Sequence, residues 1–153
     1  MELSNILCPV DFSDLSARAL RYAAMLARLS GARLTVVYAH SFSAPSYFTT
    51  GKLEDLERQF RESLHEAEAE LQRFAQKETG GLPVDARIVE AHPVDAIKKT
   101  AAEIDADLIV MGTHGRSGLN RLMLGSVAEG VLRESLVPVL TVRGEAPVPS
   151  AGS

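Results

Sequence analysis

The stretch Met111 to Ser126, MGTHGRSGLNRLMLGS, holds four glycines, two arginines and a histidine, and it follows directly on the apolar run DLIV. Glycine lets backbone N–H groups approach an anion without interference from Cβ, and it reaches positive φ at little cost. Successive N–H groups can then form an anion-binding nest. A helix beginning near Ser126 would add its first N–H groups and the positive end of its dipole. Arg116 and Arg121 would bring charge, or point into solvent. This chemistry suits the phosphates of a nucleotide. The plainer reading of the same glycines is a flexible surface loop. Two better-known phosphate motifs are absent. There is no G-x-x-x-x-G-K-[ST], and no G-x-G-x-x-G follows the first strand. What stands here is Gly112-x-x-Gly115, nine residues, then Gly125-Ser126.

A second segment, PVDFS from Pro9 to Ser13, follows the first apolar run. Asp11 there either faces a ligand or caps the next helix, a role open to Ser13 as well. Ser126 has a structural reading too, because Ser126-x-x-Glu129 matches a capping box. His114 reads as a phosphate neighbour or as an ordinary loop histidine. His65, within HEAEAE, reads as part of a solvated helix face. Cys8 reads as a small core residue. No H-E-x-x-H, G-x-S-x-G or C-x-x-C is present, and no residue is marked out to activate water. The residues support binding over turnover.

The elements that would carry these segments alternate between strand and helix. NILCPV reads as a buried strand. A helix follows, with Leu15, Ala19, Tyr22, Leu26 and Leu29 at steps of three and four, and Gly31 stops it. ARLTVVYAH is a second strand, and SFSAPSYFTTG reads as a loop. A long helix places Leu53, Leu56, Phe60, Leu64, Ala67, Leu71 and Phe74 on one stripe and ends at TGGLP. VDARIVE alternates like a strand, and a helix begins near Pro93. DLIVMG is a continuous apolar run, as in a central parallel strand covered on both faces. The glycine loop, a helix over SVAEGVLRES and a last strand VPVLTVR complete the order. The pattern predicts an open, mostly parallel α/β sheet with helices on both faces. Ligands of such sheets bind beyond the carboxyl ends of the strands, where strand order reverses. If the first and fourth strands are neighbours, PVDFS and the glycine loop meet there.

With 153 residues the chain suits one domain, here 1–143, and the small, proline-rich remainder 144–153 reads as a disordered tail. A net charge of −4 argues against a broad nucleic-acid footprint. One cysteine allows no intrachain disulfide, the first residues lack a basic signal region, and no run is long enough for a membrane span. These features predict a cytoplasmic protein. The last strand would be an apolar sheet edge, which invites pairing with another chain through Val137 to Val142.

The loop GTHGRSGLNRLMLGS resembles the ATP-binding loop of the universal stress protein family, G-x-x-G, nine residues, G-[ST]. ILCPVDFSDLS, ADLIVMGTHGRSGL and LGSVAEGVLRESLVPVLTVR are similar to that family as well, so the likeness spans about Asn5 to Arg143. The resemblance implies a five-stranded parallel sheet in the order 3-2-1-4-5, a homodimer and bound ATP, with ADP or AMP as related ligands and Mg²⁺ beside the triphosphate. It places adenine near Pro9, Val10 and Asp11 and beside Ala39, with Asp11 on ribose or base. Met111 and Gly112 would line the sugar and first phosphate. His114, Gly115 and Arg116 would sit by the phosphates, and Gly125, Ser126 and Val127 would receive them. Three positions depart from the family's usual residues: Ala39, the pair Cys8 and Val10 around Pro9, and Ala91. The function implied is a nucleotide-dependent regulatory module in stress response. The alternatives are a nucleotide-free dimeric interaction protein of the same fold and, third, a slow ATPase.

Overall fold

The computed structural model describes residues 1–41, 52–114 and 124–145. Strand β1 (Asn5–Val10) leads to helix α1 (Asp14–Ser30) and strand β2 (Arg33–Ala39). Helix α2 (Leu53–Thr79), strand β3 (Asp85–Val89) and helix α3 (Pro93–Glu103) follow. Strand β4 (Leu108–Gly112), helix α4 (Ser126–Glu134) and strand β5 (Val139–Val142) complete the order. All strand pairs are parallel, and the sheet order is β3-β2-β1-β4-β5. The order expected from the resemblance is the order found. The 41–51 loop falls outside the described residues from 42 onward, as does the tail from 146.

Side-chain alternation along the strands builds two cores, one on each face of the sheet. Ile6, Cys8 and Val10 of β1 join Val36, Val110 and the inner face of α1. Leu7 points the other way and joins Val37, Ile109, Met111, α3 and α4. Cys8 is fully buried, and burial pushes its thiol well above the usual range, as suits a core residue.

The buried face of α1 differs from the one its large residues predict. Ala17, Leu20, Ala23, Ala24 and Ala27 are buried, whereas Tyr22 and Leu29 are exposed. Small alanines allow the helix to lie close against β1 and β4, and the larger side chains are left outside. A similar limit acts on α2. At 27 residues it is about 40 Å long, whereas the strands beneath it span only about 17–23 Å. Ala67, Leu71 and Ala75 are therefore buried, but Leu53 at the start of the stripe is exposed. Gly31 (φ 75°) and Gly80 (φ 63°) end α1 and α2 in the left-handed conformation that glycine tolerates.

The sheet opens between β1 and β4. Strands β1 and β2 pair along all six residues of β1, but β1 and β4 pair only at Ile6↔Leu108 and Leu7↔Ile109. The backbone explains why. The Ser4 carbonyl accepts from Arg33 on the β2 side, and the Asn5 carbonyl accepts from Asp107 on the β4 side. Polar groups alternate along a strand, so odd-numbered residues of β1 face β4. Pro9 therefore faces β4 without an N–H to give, and the ladder stops before it.

Candidate nucleotide-binding site

A cavity of about 340 Å³ lies in the crevice where β1 and β4 diverge. Pro9, Val10 and Asp11 line it from β1 and its turn, and Val37, Tyr38 and Ala39 from β2. Helix α3 contributes Pro93, Ala96 and Ile97. The end of β4 contributes Met111, Gly112, Thr113 and His114, and the start of α4 contributes Gly125, Ser126, Val127 and Ala128. Ser16 of α1 closes the list of walls. Ten residues singled out from the sequence thus surround one cavity. The other two, Gly115 and Arg116, lie outside the described residues, as does Arg121. Ala91, a departure from the family pattern, does not line the cavity.

The turn after β1 is tightly built. Ser13 is the N-cap of α1, its hydroxyl accepting from the Ser16 backbone N–H at 3.2 Å. The cap is thus Ser13 and not Asp11. Asp11 Oδ1 accepts from the Ser13 N–H at 3.0 Å and from the Ser13 hydroxyl. Phe12 between them has φ 65°, a conformation that a bulky residue adopts only under constraint. Its ring is held against Tyr38 (centroids 4.6 Å apart) and edge-on to Phe74 (5.4 Å). The aromatic contacts fix the turn that presents Asp11 to the cavity.

The opposite wall departs from the capping box expected at Ser126. Gly125 is the N-cap of α4, and among the described residues no side chain caps the helix. The Gly125 N–H donates to the Thr113 carbonyl at 2.6 Å, which draws the start of the helix one residue earlier. Ser126 is consequently the first helical residue, and Glu129 pairs with Arg133 at 2.5 Å instead of reaching back. The first-turn N–H groups of Ser126, Val127 and Ala128 have no partner within the helix, and these three residues line the cavity. Thr113 also donates its own N–H to the Val142 carbonyl at 3.0 Å. Both ends of the glycine loop are thereby fixed to the sheet.

The lining is mixed in chemistry. Val37, Ala39, Ala96, Ile97 and Met111 are apolar, whereas Asp11, Ser16, Thr113, His114 and Ser126 bring polar side chains, and α4 brings its first turn. Among the described residues none of the lining side chains is lysine or arginine. No group of three or more His, Cys, Asp or Glu among the described residues could hold a metal ion. The sequence reading missed the α3 wall. Its signal lay in the topology, because the β3–α3 connection opens at the same edge of the sheet. It also missed Thr113, a buried threonine beside a candidate histidine.

Residues 2–143 match the model of the Universal stress protein family. A universal stress protein of Thermus aquaticus is 37% identical over 139 residues, covering 91% of this chain and 98% of the relative. A universal stress protein solved in complex with cAMP superposes with a TM-score of 0.66 at 28% identity, covering 94% of this chain and 98% of that one. The universal stress protein of Archaeoglobus fulgidus in complex with dAMP gives 0.63 at 30% identity, over 94% and 100% of the two chains. No helix among the described residues is long and apolar enough to cross a membrane. The chain belongs to the universal stress protein family.

Proposed function

We propose that this protein binds an adenine nucleotide, ATP by the form of its glycine loop, and acts in the cytoplasm as a nucleotide-dependent regulatory module in stress response. The observation that carries the reading is the cavity itself, largely apolar and lined in part by the start of α4, whose N-cap Gly125 brings no side-chain cap. A purine suits the slot between Pro9, Val10, Ala39 and Met111, with Asp11 on the ribose or base and Gly112 beside the sugar. Phosphates suit the first turn of α4, where Gly125, Ser126 and Val127 would receive them. His114, Gly115 and Arg116 would complete the phosphate side. Mg²⁺ would arrive with a triphosphate. Two solved relatives holding adenine nucleotides support the base and phosphate class.

The test is to denature the purified protein and identify any released nucleotide by mass spectrometry, then to titrate the emptied protein with Mg·ATP. Ligand at 100 times its dissociation constant stabilises a fold by about 2.7 kcal/mol, a rise of about 5–11 °C for a domain of this size. Gly125→Asp places a carboxylate where phosphate would lie and abolishes that rise. A wild-type melting temperature unmoved by millimolar Mg·ATP would overturn the nucleotide reading.

A second reading, a nucleotide-free dimeric interaction protein, is favoured by the open edge of β5. Among the described residues this strand pairs with β4 alone, and Leu140 on it is 40% exposed. The two readings differ in whether the Gly125→Asp variant loses its cellular phenotype.

A further inference from the structure

Among the described residues, His114 Nε2 is one of two buried side-chain nitrogens with no hydrogen-bond partner. The other, Arg18 Nε, lies away from the cavity on α1. His114 lines the cavity, and its second ring nitrogen is already engaged: Nδ1 lies 2.9 Å from Thr113 Oγ1. Thr113 is 3% exposed, and its backbone is fixed on both sides, to Val142 and to Gly125. The hydroxyl has one proton to give. Among the described residues Nδ1 is the only group to which Thr113 Oγ1 bonds. If Nδ1 carried the ring proton, the hydroxyl would accept and its own proton would have no partner. The arrangement that satisfies both groups puts the ring proton on Nε2. Nε2–H is then a buried donor without an acceptor, which is costly to keep unless a ligand supplies one.

The other polar groups of that wall are donors too. Helix α4 offers the uncapped N–H groups of its first turn. Nε2–H and these first-turn N–H groups can only donate, and the Ser126 hydroxyl can donate as well, which suits a ligand group that only accepts, as the oxygens of an ionised phosphate do. We propose that His114 determines specificity for the phosphorylated form of the ligand. Its Nε2–H donates to a phosphoryl oxygen, and Thr113 is the positioning residue that fixes the tautomer. The inference rests on the nucleotide reading and deepens it: it predicts discrimination of a nucleotide from the nucleoside.

Calorimetric titration with AMP and with adenosine at about pH 8 tests this, since phosphate is then a dianion and an ordinary imidazole neutral. His114→Phe keeps a planar ring without the donor, and AMP affinity is expected to fall tenfold to about a hundredfold, as for one hydrogen bond to a charged group. Adenosine is the control ligand and should bind both proteins alike. His114→Gln, which retains a neutral N–H donor, should recover most of the loss. Thr113→Val should weaken AMP several-fold, and Thr113→Ser should restore it. Nitrogen NMR of the wild-type ring gives a readout independent of any variant. Nε2 should be the protonated nitrogen in the wild type, and Thr113→Val should give a mixture.

An Nδ1–H tautomer in the wild type would overturn the inference and leave the nucleotide reading standing. So would equal AMP affinity in wild type and His114→Phe. Failure of the wild type to bind any of AMP, adenosine and Mg·ATP would overturn both.

Discussion

Gly130 in α4 offers a sharp test of how the two helices that wall the cavity are spaced. A Cβ at this position would stand 2.8 Å from Val94 Cγ2 of α3, closer than real Cβ atoms come to a neighbour. Val94 cannot simply rotate away, since a β-branched side chain in a helix has one strongly preferred rotamer. Gly130→Ala therefore carries two opposed effects. Removing a mid-helix glycine stabilises by roughly 0.5–1 kcal/mol. Overpacking a filled contact costs typically about 1–3 kcal/mol. The net expected is a destabilisation of about 1 kcal/mol, or a melting temperature lower by about 2–4 °C. In a Val94→Ala background the obstructing methyl is gone, so the same substitution should stabilise by about 0.5–1 kcal/mol. The double-mutant cycle should then show a coupling of about 1–3 kcal/mol. Urea unfolding of the four proteins measures it. Equal effects of Gly130→Ala in both backgrounds would refute the claim that Val94 sets the approach of α4 to α3. Val94 adjoins Pro93, and Gly130 is two residues from Ala128, both at the cavity. Spreading the helices should therefore weaken ligand binding by the single variant more than by the double one.

Three further expectations follow from particular contacts. Asp107 accepts backbone N–H bonds from Ser4 and Asn5 at 2.8 Å each, and these hold its carboxyl below the ordinary Asp range. Its folded pKa lies under the unfolded one, so its contribution is complete above the ordinary range and is lost as pH falls through the lowered value. Asp107→Asn should remove that part of the acid sensitivity, and denaturant unfolding from about pH 5 downward would show it. Val139→Lys with Leu140→Lys, on the open edge of β5, should give a monomer by light scattering. A dimer that survives both would exclude this edge as the interface. Phe12→Gly removes the strain of φ 65° but also the contacts to Tyr38 and Phe74. Phe12 is half-buried, so losing its ring costs less than the roughly 3–5 kcal/mol of a fully buried aromatic, yet about 2–3 kcal/mol still exceeds the backbone relief of about 1–2 kcal/mol, and the variant should be slightly less stable by thermal melting.

Much of this architecture was legible in the residues because each strand and helix carried its own period and its own stop. DLIVMG became β4, buried on both faces, and Gly31 ended α1 where it stood. The misreadings share a cause. Tyr22 and Leu29 were placed on the inner face of α1 because large apolar residues dominate a periodicity count, whereas close approach to the sheet selects alanine. Ser126 matched a capping box by local spacing, but the Gly125–Thr113 hydrogen bond, made across the loop, fixed the cap one residue earlier. Contacts between segments far apart in sequence have no local signature. The α3 wall of Pro93, Ala96 and Ile97 escaped for the same reason. His114 was visible as a residue type, but its engagement with Thr113 depends on a rotamer that spacing does not encode.

Pro9 gives the crevice an address. A strand residue that lacks an N–H proton halts the β1–β4 ladder, and the cavity lies at the gap that results. The place of the site is thus written into the scaffold, and the loops around it set only what it holds. On this account, changes confined to the residues between Thr113 and Gly125 should leave the opening where it is. A fold made this way can change ligands without rebuilding its sheet.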